Sequence, residues 1–129
     1  MHDMTDRTTR GLELMNRILG EDRARATRAS FDEISSDFGE YVVQAGFADV
    51  YGREGITLAQ RQMINVAVLT AIGGAERQLA THINGALNVG LTPTEIVETI
   101  FHVALYAGHP RAVSALWIAR DVFTDAEIL

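Results

Sequence analysis

The side chains best suited to chemistry concentrate in one stretch, Gly73 to Gly90, which reads GGAERQLATHINGALNVG. At about 100° per residue, Leu79, Ile83, Ala86 and Leu87 fall on one helical face, while Ala75, Gln78 and His82 line up on the adjacent one. The first stripe is expected to pack, and the second to carry chemistry, with His82 as its acid or base. A further polar stripe follows, in which Glu95, Glu98, His102, Tyr106 and His109 recur at helical spacing. There the four-residue step from Glu98 to His102 lets the carboxylate orient the ring and favour the imidazolium, although the same spacing also suits a plain solvated face. Arg61 and Asn65, four apart, make a third polar pair, with a first-turn surface arginine as the alternative reading.

Several reaction classes are excluded by inspection. There is no cysteine, so disulfides, thiolate metal sites, thiol nucleophiles and dithiol redox chemistry are ruled out. Ser30, Ser35, Ser36 and Ser114 fall in helical stretches without a nucleophile elbow. The Gly-rich strand-to-helix fingerprint of a nucleotide site is missing. Glu98, His102 and His82 could converge on a metal, but no H-E-x-x-H spacing is present, and neutral histidines in core or surface are commoner, so no metal is expected. Acid–base work by His and Glu on a small molecule remains, assisted by Arg and needing no cofactor.

The elements that must position these groups read as helices throughout. Thr5 to Leu19 places Leu12, Met15 and Leu19 at helical spacing, and Gly20 stops that helix. Residues 22–45 predict one longer, weaker amphipathic helix whose apolar stripe is Phe31, Ile34, Phe38, Tyr41 and Val42, with fraying expected at Ser35-Ser36 and Gly39. Phe47 to Gly55, with Gly46, Gly52 and Gly55, predicts a loop or single turn that exposes Tyr51 and Arg53. Thr57-Leu58-Ala59-Gln60 fits a capping box, so a helix starts near residue 58. From Met63 onward that helix is apolar on nearly every side, as at the centre of a bundle. Thr92, Pro93 and Glu95 agree on the next start: a cap, a first-turn proline and the closing acid of a box. Along this helix Ile96, Ile100, Val103 and Ala107 predict the core stripe, flanked by Val97, Phe101 and Ala104. Pro110 opens the last helix, whose apolar surface is Val113, Leu116, Trp117, Ala119 and Phe123. The fold class expected is all-α, a compact bundle of about six helices forming a single domain over residues 1–129.

Composition sets the boundaries of partner and place. A chain of 129 residues can bury its own core but is small for enclosing a substrate, a difficulty removed if the pocket is built between subunits. The net charge of -6, with no basic face or tail, argues against nucleic acid. The longest apolar run, Met63 to Ala75, is interrupted by Asn65 and Thr70 and falls short of the ~18 residues that span a bilayer, so no membrane partner is expected. The polar start Met1-His2-Asp3-Met4-Thr5-Asp6-Arg7 lacks a signal peptide's apolar core, and a cytoplasmic location is expected.

Four motifs stand in register: Leu-Ala-Gln-Arg ending at Arg61, Gln78 to Gly90, Thr94-Glu95-Ile96-Val97-Glu98, and Tyr106-Ala107-Gly108-His109-Pro110. Together they resemble the carboxymuconolactone decarboxylase family over roughly residues 7–123, and Tyr51 to Ile56 is similar to the loop that often precedes the third helix there. The resemblance implies an alkylhydroperoxidase D-like fold assembled into trimers or hexamers, with sites near subunit interfaces. The family's peroxidase branch carries Cys-x-x-Cys-x-x-x-His, and aligning its histidine with His82 puts Ala75 and Gln78 where the cysteines would be, which excludes dithiol peroxide reduction.

In the decarboxylase branch, the implied reaction is loss of CO2 from a small acidic lactone in aromatic breakdown, without a cofactor. His82 is the expected proton donor, with His102 second and Glu98 its orienting partner. Arg61 is expected to hold a substrate carboxylate or the oxyanion, and Gln78, Tyr51 and Tyr106 complete the substrate-binding set. Helix starts near Ala75 and Pro93 would add positive potential. The chain departs from the branch's usual pattern at two positions, with Gln78 in place of Glu and His102 in place of Gln. A non-catalytic binding or scaffolding oligomer, and a diverged enzyme acting on another lactone or keto acid, therefore stay open beside the decarboxylase reading.

Overall fold

A computed structural model describes residues 4–129, with side chains from residue 6, so the first residues of the polar start lie outside the described part. All regular structure among the described residues is helical: α1 (Met4–Leu19), α2 (Glu21–Asp32), α3 (Ser36–Tyr41), a π-helical segment (Val42–Tyr51), α4 (Leu58–Ile72), α5 (Glu76–Asn88), α6 (Pro93–Ala107) and α7 (His109–Asp125). The all-α expectation holds, with seven α-helices rather than about six. They fall into two compact units, residues 1–58 and 59–129.

In the first unit, α1 lies along the π-helical segment and α2, burying Met15, Ile18 and Leu19 with Val43, Phe47 and Ala48. Their approach is close because α1 carries Gly11 at the crossing, where an added Cβ would stand 2.3 Å from the Val43 carbonyl oxygen. Polar groups reinforce it: Arg7 grips Asp49 with two hydrogen bonds of 3.1 and 2.5 Å. Glu40 accepts from Arg28 at 3.0 Å, from the buried Gln44 amide at 3.0 Å, and from the Thr8 hydroxyl.

The single helix expected over residues 22–45 is broken. Ser35 takes an extended conformation (φ −160°, ψ 108°), and its hydroxyl accepts the Phe38 N–H at 3.2 Å, so it caps a new helix instead of continuing the old one. The re-aimed chain turns the expected stripe outward: Ile34 is 90% exposed, and Phe38 and Tyr41 are also exposed. Nor are residues 47–51 a loop, because the π-helical segment runs through them to Tyr51. Tyr51 is half-buried rather than exposed, its ring edge-on to Phe47 with centroids 5.1 Å apart, while Arg53 is exposed as expected.

The second unit packs α7 against both α5 and α6. Its core is Val66, Leu79, Ile83, Ala86, Ile96, Ile100, Val122 and Phe123, with Ala112, Ala115 and Ala119 letting neighbours approach α7 closely. The start of α6 is the predicted one: Glu95 N–H donates to the Thr92 hydroxyl at 3.0 Å, and Thr92 N–H to the Glu95 carboxylate at 2.9 Å, with Pro93 in the first turn.

Helix α4 corrects another expectation. It buries one face only, Gln62, Val66 and Thr70, and leaves Ile64, Val68 and Ile72 at least half exposed. Phe101, Leu105, Tyr106, Val113, Leu116 and Trp117 are likewise exposed on α6 and α7. Each of these helices has neighbours on part of its surface only, so the apolar residues around the rest stay open.

The turn from α4 to α5 depends on Gly73. Its φ of +67° disfavours any side chain, and an added Cβ would lie 1.9 Å from Nη1 of Arg111, which donates to the Ile72 carbonyl at 2.8 Å. Gly73→Ala is expected to destabilise the protein by about 1–3 kcal/mol, read as a lower urea midpoint at unchanged slope.

Candidate active site

The geometry of the site begins with α5, whose apolar stripe Leu79, Ile83 and Ala86 is buried against the core and so fixes the helix's rotation. That rotation leaves His82 half-buried, facing α4. Its Nδ1 lies 2.9 Å from Gln62 Oε1 and 3.4 Å from Asn65 Nδ2, and Asn65 Nδ2 donates to Gln62 Oε1 at 3.3 Å. Gln62 is completely buried, and its Nε2 has no hydrogen-bond partner among the described residues, an arrangement that costs about 1–3 kcal/mol.

Burial lowers the His82 pKa from its ordinary 6.5, because the imidazolium loses solvation. The unfolded chain therefore binds a proton at His82 more readily than the folded one does. The stability this represents is complete above about pH 6.5 and is lost as pH falls through 6.5 toward the folded pKa. Denaturant midpoints measured across this range are expected to fall with pH in the native protein, and to fall less in His82→Gln.

The other anticipated residues are distributed as follows. Arg61 is half-buried in the first turn of α4, next to Gln62 in sequence, and Gln78 is exposed in the first turn of α5. Glu98 and His102 both line a groove of about 480 Å³ between α4 and α6, together with Met63, Ile64 and Ala67. The His102 ring also stands 6.0 Å from that of the exposed Tyr106. Tyr51 belongs to the first unit. The helix starts named for positive potential are partly compensated, since Glu76 occupies the first turn of α5 and Glu95 closes the box of α6. No cluster of three or more His, Cys, Asp or Glu able to hold a metal occurs among the described residues.

Gln62 is the residue that pattern reasoning missed, since Arg61 and Asn65 drew attention as the polar pair of that helix. A signal was available: Gln62, Val66 and Thr70 follow each other at four-residue steps along the buried face, and Gln62 precedes Asn65 by three. A buried amide on a packing face calls for a partner on a neighbouring helix.

One nitrogen of His82 thus faces the buried Gln62 and the half-buried Asn65, inside an all-helical unit. The profile of the Carboxymuconolactone decarboxylase family matches residues 36–121. The chain belongs to this family. The 4-carboxymuconolactone decarboxylase of Acinetobacter baylyi is 32% identical over 122 residues, covering 95% of this chain and 90% of that one. An uncharacterized 15.0 kDa protein of Paracoccus denitrificans is 29% identical over 84% of this chain and 87% of its own. The nitrosuccinic acid decarboxylase of Metarhizium robertsii is 25% identical over 89% of this chain and 80% of its own. The carboxymuconolactone decarboxylase family match runs across residue 58, where the two compact units meet in sequence.

No helix among the described residues is long and apolar enough to cross a membrane.

Proposed function

We propose that this chain is a cofactor-free decarboxylase of a small carboxylated lactone, with His82 as its proton donor. The observation that carries the reading is the half-buried His82, hydrogen-bonded to the buried Gln62, in a chain 32% identical to a 4-carboxymuconolactone decarboxylase. The carbon–carboxylate bond breaks and CO2 leaves, while the electron pair runs through the ring double bond onto the lactone carbonyl. The resulting dienolate takes a proton on carbon from the His82 imidazolium, and water restores that proton afterwards. Arg61 holds a substrate carboxylate or the developing oxyanion, because a guanidinium offers two parallel donors. His102, oriented by Glu98, is the second proton carrier, and Gln78, Tyr51 and Tyr106 contact the substrate.

The working form is a trimer or hexamer of an alkylhydroperoxidase D-like domain spanning residues 1–129, with sites near subunit interfaces and a cytoplasmic setting. The exposed apolar side chains of α4, α6 and α7 support assembly, since so much open apolar surface is unusual for a monomer.

A second reading has its own support in the relative named nitrosuccinic acid decarboxylase. Nitrosuccinic acid and carboxymuconolactone share one chemical feature: the carbon that loses CO2 can pass its electron pair to a neighbouring sink, a nitro group or a conjugated lactone. A diverged member with Gln78 and His102 could apply the same proton delivery to such an acid.

The test mixes purified protein with 4-carboxymuconolactone and follows CO2 release together with the ultraviolet loss of substrate. Turnover is expected. Turnover of nitrosuccinic acid alone would favour the second reading, and no turnover of either by folded protein would reject both.

A further inference from the structure

We infer that Gln62 is a positioning residue: its side-chain oxygen, braced by Asn65, holds the proton of His82 on Nδ1, so that Nε2 is the nitrogen that exchanges protons with substrate. This rests on the reading of His82 as proton donor. An amide oxygen can only accept, so the 2.9 Å contact between Gln62 Oε1 and His82 Nδ1 requires a hydrogen on Nδ1. Asn65 Nδ2 donates to that same oxygen at 3.3 Å, which fixes the side-chain oxygen of Gln62 toward the ring. Asn65 Nδ2 and His82 Nδ1 then face each other as two donors, in keeping with the longer 3.4 Å between them.

Position 62 shows the same preference from the other side. A methionine or leucine would fill this fully buried space without leaving an amide nitrogen unpartnered, so what a glutamine adds is its oxygen. A neutral acceptor also differs from a carboxylate here. It orients the ring in both protonation states and leaves the mobile proton to Nε2, because Nδ1–H is engaged throughout the cycle.

The tautomer can be read directly by nitrogen-15 spectra of the imidazole side chains above pH 7, with the His82 signals assigned by their loss in His82→Gln. The native protein is expected to show a protonated Nδ1 and an unprotonated Nε2. Gln62→Met is expected to move His82 toward the Nε2–H form, and Gln62→Glu, which keeps an oxygen in place, to retain Nδ1–H. In an active enzyme, Gln62→Met should lower kcat by about tenfold with KM changed by less than about twofold, since a misplaced proton impairs transfer and not binding.

An Nε2–H tautomer in the native protein, or a Gln62→Met spectrum identical to native, would overturn the inference. If Gln62→Met does not fold, the native and Gln62→Glu spectra still decide it. These spectra need no substrate, so the expected tautomer in a protein that turns over neither acid would count against the decarboxylase reading and leave the role of Gln62 standing.

Discussion

His82→Ala is expected to lower kcat for decarboxylation by about 10²–10⁴-fold, with KM close to native. The size follows from the step removed. Loss of CO2 generates a dienolate that must be protonated on carbon, and a positioned acid is the part of this reaction that solvent replaces poorly. KM is spared because the charged groups of the substrate are assigned to Arg61, not to the imidazole. His82→Gln serves as the control for packing: it keeps a polar side chain opposite Gln62 and Asn65 while removing the titrating nitrogen, and is expected to be as slow as His82→Ala. Steady-state rates from pH 5 to 8 complete the measurement. The His82 pKa is lowered by burial, so the native rate is expected to fall as pH rises through that lowered value. Activity within about twofold of native in both variants would remove His82 from the mechanism.

Ile83→Ala is expected to produce the largest loss of stability, about 2–5 kcal/mol, measured by urea unfolding. Ile83 is completely buried, one residue from His82, on the stripe that holds α5 against the core. Truncation removes about three methyl or methylene groups from contact and leaves a cavity that flanking helices close only in part. It also frees the rotation of α5 that aims His82 at α4, so activity should fall along with stability. Ile34→Ala, by contrast, is expected to change stability by no more than about 0.5 kcal/mol, because Ile34 is 90% exposed. The pair separates residues that look alike in an apolar stripe but differ in what surrounds them.

Much of the helical layout was written in local sequence. Thr92, Pro93 and Glu95 mark the start of α6 through bonds that close within four residues, and Leu79, Ile83 and Ala86 declare the buried face of α5 by spacing alone. The absence of cysteine excludes thiol chemistry outright, and residue type with helical spacing singles out His82 as a candidate acid. Each of these conclusions depends on neighbours along the chain or on residue type, so no tertiary contact was needed to reach it.

What the tertiary structure decided depends on which helices meet. Ser35 could have stayed inside a long amphipathic helix. It became a cap once the chain turned to run Val43 and Phe47 along α1, and Ile34, Phe38 and Tyr41 were left outside. The apolar surface of α4 suggested burial on all sides, yet its neighbours cover only the face of Gln62, Val66 and Thr70. The pairing of Gln62 with His82 joins residues twenty apart in sequence. Neither periodicity nor capping encodes such a contact, because it depends on the rotation of α5 and on the face α4 turns toward it, and both are set by how the buried side chains of separate helices fill a shared core.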